Sequence, residues 1–183
     1  GGRLQLRALT SQPGRADELR ALGITPLIGN LDQPASLRRL AGLAQRVLHL
    51  APPPGQGATD PRTRALLAAL SAHPRPSTTT CAPAITYAST SGVYGDAQGA
   101  RFDETRPVRP ANPRAWRRVD AEQQLRRWAL RGIGGGFDVG GGGRTGGSVG
   151  VSGRRITILR IPGIYAVDRA GGDPRDRLRR GAP

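Results

Sequence analysis

The chain of 183 residues contains no methionine, a single cysteine (Cys81), two histidines, aromatic residues at only 4% of positions and, read along its length, no lysine. Each shortage removes a class of function. One cysteine cannot build a disulfide framework, so a reduced, cytoplasmic setting is the expectation. No run of 18 apolar residues occurs, and no basic start leads into an apolar stretch, so neither a membrane span nor a secretory signal is expected. His49 and His73 have no second His or Cys at ligand spacing, and no metal site is expected. His49, inside an apolar run, reads as a core or near-ligand histidine, and His73 as a helix-end residue before Pro74. Cys81 sits among Thr and Pro residues with no base beside it and is not a candidate nucleophile. A chain without methionine that begins Gly1-Gly2-Arg3 resembles no processed start, and reads as a piece of a longer one.

What is abundant is arginine. Basic residues number 28 against 13 acidic ones, so the net charge of +15 is carried by guanidinium alone. Such a charge first suggests nucleic acid. The arginines are scattered in short pairs, such as Arg38-Arg39, Arg117-Arg118 and Arg154-Arg155, and few aromatics lie between them as stacking platforms for bases. The charge reads as a compositional habit, and no nucleic-acid partner is expected.

Two hydrophobic periods alternate along the chain. Leu4 to Thr10 alternates apolar and polar residues as a strand does, and Ser11-Gln12-Pro13-Gly14 breaks it. A short helix over 16–22, a strand over 25–29 and a helix begun by Asp32 and Pro34 follow. The apolar run Arg46 to Ala51 predicts a strand, and Thr59-Asp60-Pro61 caps a helix carrying Leu66, Leu67 and Leu70. Further strands are predicted over 84–89 and 155–161, with the longest helix over 112–130 between them. Strands separated by helices predict a parallel sheet with right-handed crossovers, an α/β fold.

The stretch Gly132 to Gly153 holds 12 of the 27 glycines, too many for a packed element, and reads as a flexible surface insertion. Its Gly141 to Gly146 segment fits a G-x-G-x-x-G fingerprint by chance. No strand precedes it and no helix follows, and a dinucleotide turn needs both.

The run Tyr87 to Gly95 places hydroxyls at a carboxyl strand edge, where open α/β sheets bind ligands. From here the chain resembles a known family. The segments Ser89-Thr90-Ser91-Gly92-Val93-Tyr94-Gly95, Asp103-Glu104-Thr105 with Pro107 and Pro110, Ala121-Glu122, and Leu159 to Tyr165 occur in the order found in the NAD-dependent epimerase/dehydratase family. Gly29-Asn30-Leu31 and Leu48-His49-Leu50-Ala51 match two further stations. These are extended short-chain dehydrogenase/reductases, acting typically on nucleotide sugars.

The resemblance implies a Rossmann-like doubly wound sheet over residues 1–167, with 168–183 starting a substrate-binding lobe. It implies a nicotinamide dinucleotide as cofactor and a small anionic, nucleotide-sugar-like substrate, and it leaves a homodimer open. Asn30 and Leu31 then lie against adenine, and Leu50, Ala51 and Pro52 pass the nicotinamide ribose. Pro162, Gly163, Ile164 and Tyr165 line the nicotinamide end. Thr90 takes the place of the catalytic serine or threonine. No acidic residue follows the first strand, while Thr10, Ser11 and Arg15 can meet a 2'-phosphate, which leans toward NADP over NAD. Arg15 reads equally well as a solvated helix residue.

Two departures stand beside these matches. The family's tyrosine and lysine fall here on Arg114 and Arg118, and guanidinium is a poor general acid or base. The pattern resembles the atypical, YeeZ-like branch that lacks both residues. Arg114 and Arg118 are read either as forks gripping an anionic substrate or cofactor phosphate, or as a surface pair bridging Asp120 and Glu122. The second departure is that the glycine-rich turn belongs ahead of Leu4, on the central first strand of the order 3-2-1-4-5-6. Residues 1–183 alone are therefore expected to divide the sheet and to bind dinucleotide weakly. The readings left are an epimerase/dehydratase-type enzyme and a non-catalytic dinucleotide-binding or sensor protein of the same fold.

Overall fold

The computed structural model of the protein describes residues 4–72, 83–131, 154–163 and 179. The glycine-rich stretch 132–153, His73, Cys81, Ile164, Tyr165 and nearly all of 168–183 lie outside those residues. Five strands are described: β1 (Arg7–Thr10), β2 (Thr25–Ile28), β3 (Arg46–His49), β4 (Ala84–Thr90) and β5 (Ile156–Ile161). Three α-helices accompany them: α1 (Ala16–Ala21), α2 (Pro61–Ser71) and α3 (Pro113–Arg131). Short 3₁₀ turns span Pro13–Arg15, Pro34–Leu40 and Ser91–Tyr94.

Every described strand pair is parallel. β1 pairs with β2, and β4 lies between β3 and β5, so the sheet exists as a pair and a triplet with no ladder joining β1 to β3. The division falls where the doubly wound order has its central first strand. The crossover helices between parallel strands make this the α/β class that the alternating periods predicted.

Strand lengths follow pairing rather than pattern. The alternation beginning at Leu4 predicts a longer first strand, but β2 offers partners only from Thr25, opposite Arg7. Leu4 is left 82% exposed and outside the ladder. The turn at Pro34–Leu40 also differs from expectation. It is 3₁₀ rather than α-helical, Gln33 occupies its cap position without a side-chain bond, and the Asp32 carboxylate is taken by Arg62.

α2 begins as predicted. Asp60 accepts from the backbone N–H groups of Arg62 and Thr63, with Pro61 in the first turn where no N–H is needed. Asn112 caps α3 in the same way, accepting from Ala115 N at 2.9 Å. The main core lies where α2 and α3 cover one face of the triplet sheet. Leu66, Leu67 and Leu70 meet Ile85 and Tyr87 from β4, and Ala121, Leu125 and Trp128 close it from α3. Each buried Leu or Ile among them contributes roughly 1.5–3 kcal/mol by leaving water. Register puts Leu48, Thr86, Ala88 and Leu159 on the opposite face, where Leu48 is 68% exposed. A smaller cluster of Val93, Tyr94 and Val119, with Val108 against it, holds down the loop that follows β4.

Candidate functional site

The carboxyl ends of the parallel strands all open on one edge of the molecule, and the loops leaving them build the site. After β2 the chain must pass between Leu9 and the Pro34–Leu40 turn. A Cβ at Gly29 would lie 2.9 Å from Leu9 Cδ1 and 3.2 Å from Ser36 O, so a larger residue there would push the Leu9 side chain aside and crowd the Ser36 carbonyl. Beyond it Asn30 is held on both sides. Its N–H donates to Ser36 Oγ at 2.9 Å, and its Oδ1 accepts from Asp32 N at 2.9 Å.

These loops enclose a cavity of about 240 Å³ lined by Leu9, Ser11, Asn30, Leu31 and Ala51, with Asp32 and Arg62 at its rim. A second hollow of about 210 Å³ adjoins it over Ile28, Gln33 and Ser36. Four of the residues singled out in the sequence, Ser11, Asn30, Leu31 and Ala51, are thus brought to one cavity. Leu50 is 65% exposed and turned away from it. Pro52 lies just beyond, its carbonyl accepting from Arg62 at 3.1 Å. Arg15 does not line the cavity. Its guanidinium is forked onto Glu18 at 3.0 and 3.1 Å, in the exposed first turn of α1.

Thr90 ends β4 and caps the turn Ser91–Tyr94, its Oγ1 accepting from Gly92 N. It is half-buried at the strand edge, and among the described residues no acceptor takes its hydroxyl proton. The loop then needs Gly95, with φ of +69°, because a Cβ there would run into the Arg109 carbonyl. Pro162 and Gly163 lie exposed at the end of β5.

The two arginines at the tyrosine and lysine stations part company. Arg114 is exposed in the first turn of α3. Arg118 is buried, and its Nη1 donates to Tyr87 Oη at 3.0 Å and to Ala88 O at 2.6 Å. It lies on the same helix face as Ala121, Leu125 and Trp128, but its fork turns onto β4 rather than out of the sheet edge. Neither arginine bridges Asp120 and Glu122. Asp120 Oδ2 caps Asp60 N at 2.7 Å, and the Glu122 carboxylate is occupied elsewhere. Burial pushes the Tyr87 hydroxyl up to about 12, against the pull of Arg118, so it keeps its proton.

Two buried networks behind the edge went without roles in the sequence. Glu122 accepts from Ser89 Oγ at 2.6 Å and from Arg160 at 2.7 Å, and Arg160 also donates to Tyr94 Oη at 2.7 Å and Glu104 O at 3.2 Å. This ion pair ties β4, β5, α3 and the following loop together at the edge. A charge in the apolar run Ile156–Ile161 was its sequence signal. The second network runs from Asp60 to Thr63 to His49. Thr63 donates its hydroxyl to Asp60 Oδ2 at 2.7 Å, so the contact of 2.8 Å to His49 Nε2 is donated by the imidazole. Burial drives the His49 imidazole down to about 4, with the Asp60 charge opposing.

No protein-family model matches the sequence, and no curated protein matches it. Solved structures do. A candidate epimerase from Burkholderia cenocepacia J2315 is 23% identical with a TM-score of 0.61, over 98% of this chain and 62% of that one. The UDP-glucose 4-epimerase of Thermus thermophilus, in complex with NAD, is 18% identical with a TM-score of 0.61, over 98% and 56%. RMD from Pseudomonas aeruginosa, complexed with NADPH, is 18% identical with a TM-score of 0.57, over 100% and 63%. The fold is of the Rossmann-like parallel α/β class. It is the fold of these epimerase- and reductase-type structures, and this chain spans less than two thirds of the length of each.

Proposed function

We propose that the protein is a nicotinamide dinucleotide-binding member of the epimerase/dehydratase superfamily, acting on a small anionic, nucleotide-sugar-like substrate. The observation that carries this reading is the cavity beside β1 and β2, where Leu9 and Leu31 offer apolar surface and Ser11 and Asn30 offer polar groups. Apolar walls with a few placed polar groups suit a purine nucleoside. Asn30 Oδ1 is already engaged with Asp32 N, so its amide NH₂ is the group left for a ring-nitrogen acceptor.

Bound beside these residues, a nicotinamide dinucleotide would supply hydride transfer. The chain's own residues bind and orient. Thr90 presents a hydroxyl donor at the strand edge, and the Glu122–Arg160 pair fixes the loop that carries it. Arg114, exposed and free of any described partner, is the guanidinium placed to meet an anionic substrate group. A 2'-phosphate would fall to Ser11 and Thr10, with Arg15 available only by leaving Glu18; this is the remaining ground for favouring NADP.

A second reading is favoured by Arg118. Its Nη1 is committed to Tyr87 and Ala88 while its buried Nε has no partner among the described residues, guanidinium is a poor general acid or base, and Tyr87 is held protonated, so neither group supplies the proton transfer that the missing tyrosine and lysine perform elsewhere in the family. On this reading the protein binds dinucleotide without turnover.

Titration of the intact gene product with NADPH and NADH, followed by turnover assays on candidate carbonyl substrates, separates the two. Binding with turnover that falls at least tenfold in Thr90→Val supports the enzyme. Binding without turnover supports the sensor, and absence of any dinucleotide binding sinks both.

A further inference from the structure

The two sheets have no ladder between them, yet the cavity lies between their loops, one wall supplied by the chain after β2 and the other by the chain after β3. Arg62, in the first turn of α2, joins these walls. Its Nε and Nη2 donate to Asp32 Oδ1 and Oδ2, both at 2.7 Å, and its Nη1 donates to Pro52 O at 3.1 Å. The fork is bidentate, the geometry in which a guanidinium holds a carboxylate most rigidly. Its placement is itself fixed, because the Asp60 cap anchors the α2 N-terminus and accepts from Arg62 N at 3.0 Å. The Asp32 carboxyl is held below its usual range by this hydrogen bonding.

The next link in the same loop is the one that matters to a ligand. Asp32 N donates to Asn30 Oδ1, so the orientation of the Asn30 amide is set by the residue that Arg62 grips. The Arg62 side chain is 27% exposed and lies at the rim of the cavity. Three of its five donors are engaged by protein acceptors, and with Asp32 it forms a pair of no net charge. It therefore suits a neutral, flat group in the cavity better than a phosphate.

We infer that Arg62 is a positioning residue for the purine nucleoside, setting the width of the cavity and the aim of Asn30 through Asp32 and Pro52. The inference rests on the dinucleotide reading above and adds to it a residue that the sequence did not single out. An exposed pair of this kind contributes only about 0–1 kcal/mol to folding, so its loss should leave the protein folded.

The test measures binding of adenosine, 5'-AMP and ribose 5-phosphate to the intact protein by ligand-observed NMR, in wild type, Arg62→Met, Arg62→Lys and Asp32→Asn. The expected result is that adenosine and 5'-AMP weaken about tenfold in Arg62→Met, with Asp32→Asn following it. Ribose 5-phosphate should be unchanged, and Arg62→Lys should fall between, because an ammonium keeps the charge but cannot fork. Loss of ribose 5-phosphate affinity in parallel would show a phosphate contact and overturn the positioning role. Equal adenosine affinity in wild type and Arg62→Met would overturn it too, while leaving the dinucleotide reading intact. Failure of wild type to bind either adenosine or 5'-AMP would remove the reading on which it rests. Thermal midpoints within a few degrees across the set are expected; if the affinity loss scales instead with a larger drop in midpoint, Arg62 is merely structural.

Discussion

His49 shows how position converts one side chain into a pH response. The strand pattern placed it inside an apolar run, and the structure buries it under Tyr87, ring centroids 5.1 Å apart, with Nε2 on Thr63. Facing it are Asp60, which favours the imidazolium, and Arg118, which opposes it, and burial outweighs both to hold the group neutral down to about 4. Its folded pKa is thus depressed below the unfolded value near 6.5, and the unfolded chain binds the extra proton. The stability this contributes is fully present above about pH 6.5 and is lost as pH falls toward 4. Denaturant midpoints should fall between pH 7 and 5.5, above the carboxylate range, and the fall should shrink in His49→Gln. An equal slope in both proteins would refute the assignment. Arg118 carries a related lesson. Its spacing along α3 put it on the right face, but whether a long side chain on that face reaches inward or outward depends on acceptors, here Tyr87 Oη and Ala88 O, that come from another strand.

At the scale of elements, local chemistry decided most beginnings and tertiary pairing decided most ends. Asp60-Pro61 and Asn112-Pro113 are caps followed by a residue that needs no N–H, and both helices start there. Asp60 does more than a surface cap, since it is fully buried and also receives Thr63 Oγ1. Asp60→Ala strips three bonds at once and leaves His49 and Thr63 poorly satisfied. It should cost about 2 kcal/mol or more, above the usual range for an exposed cap. Urea denaturation measures this, and a loss under about 0.5 kcal/mol would mean that the network is not formed. Asp32-Gln33-Pro34 offered similar letters and did not become a capped α-helix: Gln33 falls at the cap position without a side-chain bond, and Arg62, thirty residues on, claims the Asp32 carboxylate. No local pattern contains that competition. Strand ends behave likewise: Leu4 alternates correctly but stands outside the ladder, having no opposite residue in β2.

Over the whole molecule, the charge of +15 meets a fold whose described sheet is divided and covered by α2 and α3 on one face of its triplet. Like charges repel at all separations short of the screening length, about 10 Å at 0.1 M salt. The exposed ion pairs of α1, Arg15–Glu18 and Arg20–Asp17, contribute little against this. Raising sodium chloride from about 50 to about 300 mM should therefore raise the thermal midpoint by a few degrees. A midpoint that falls would mean that local pairs outweigh the net repulsion. The alternating periods, the cap residues and the hydroxyl-rich strand edge were legible in the sequence by itself, since each depends on neighbours a few residues apart. They determined a parallel α/β class, while Ser11, Asn30, Leu31 and Ala51 came into consideration through the family resemblance. Only the tertiary structure decided that Glu122 pairs with Arg160, that Arg118 turns inward and that Arg62 holds Asp32. A guanidinium can reach several acceptors with equal chemical reason, and which one it finds is set by where the fold puts them.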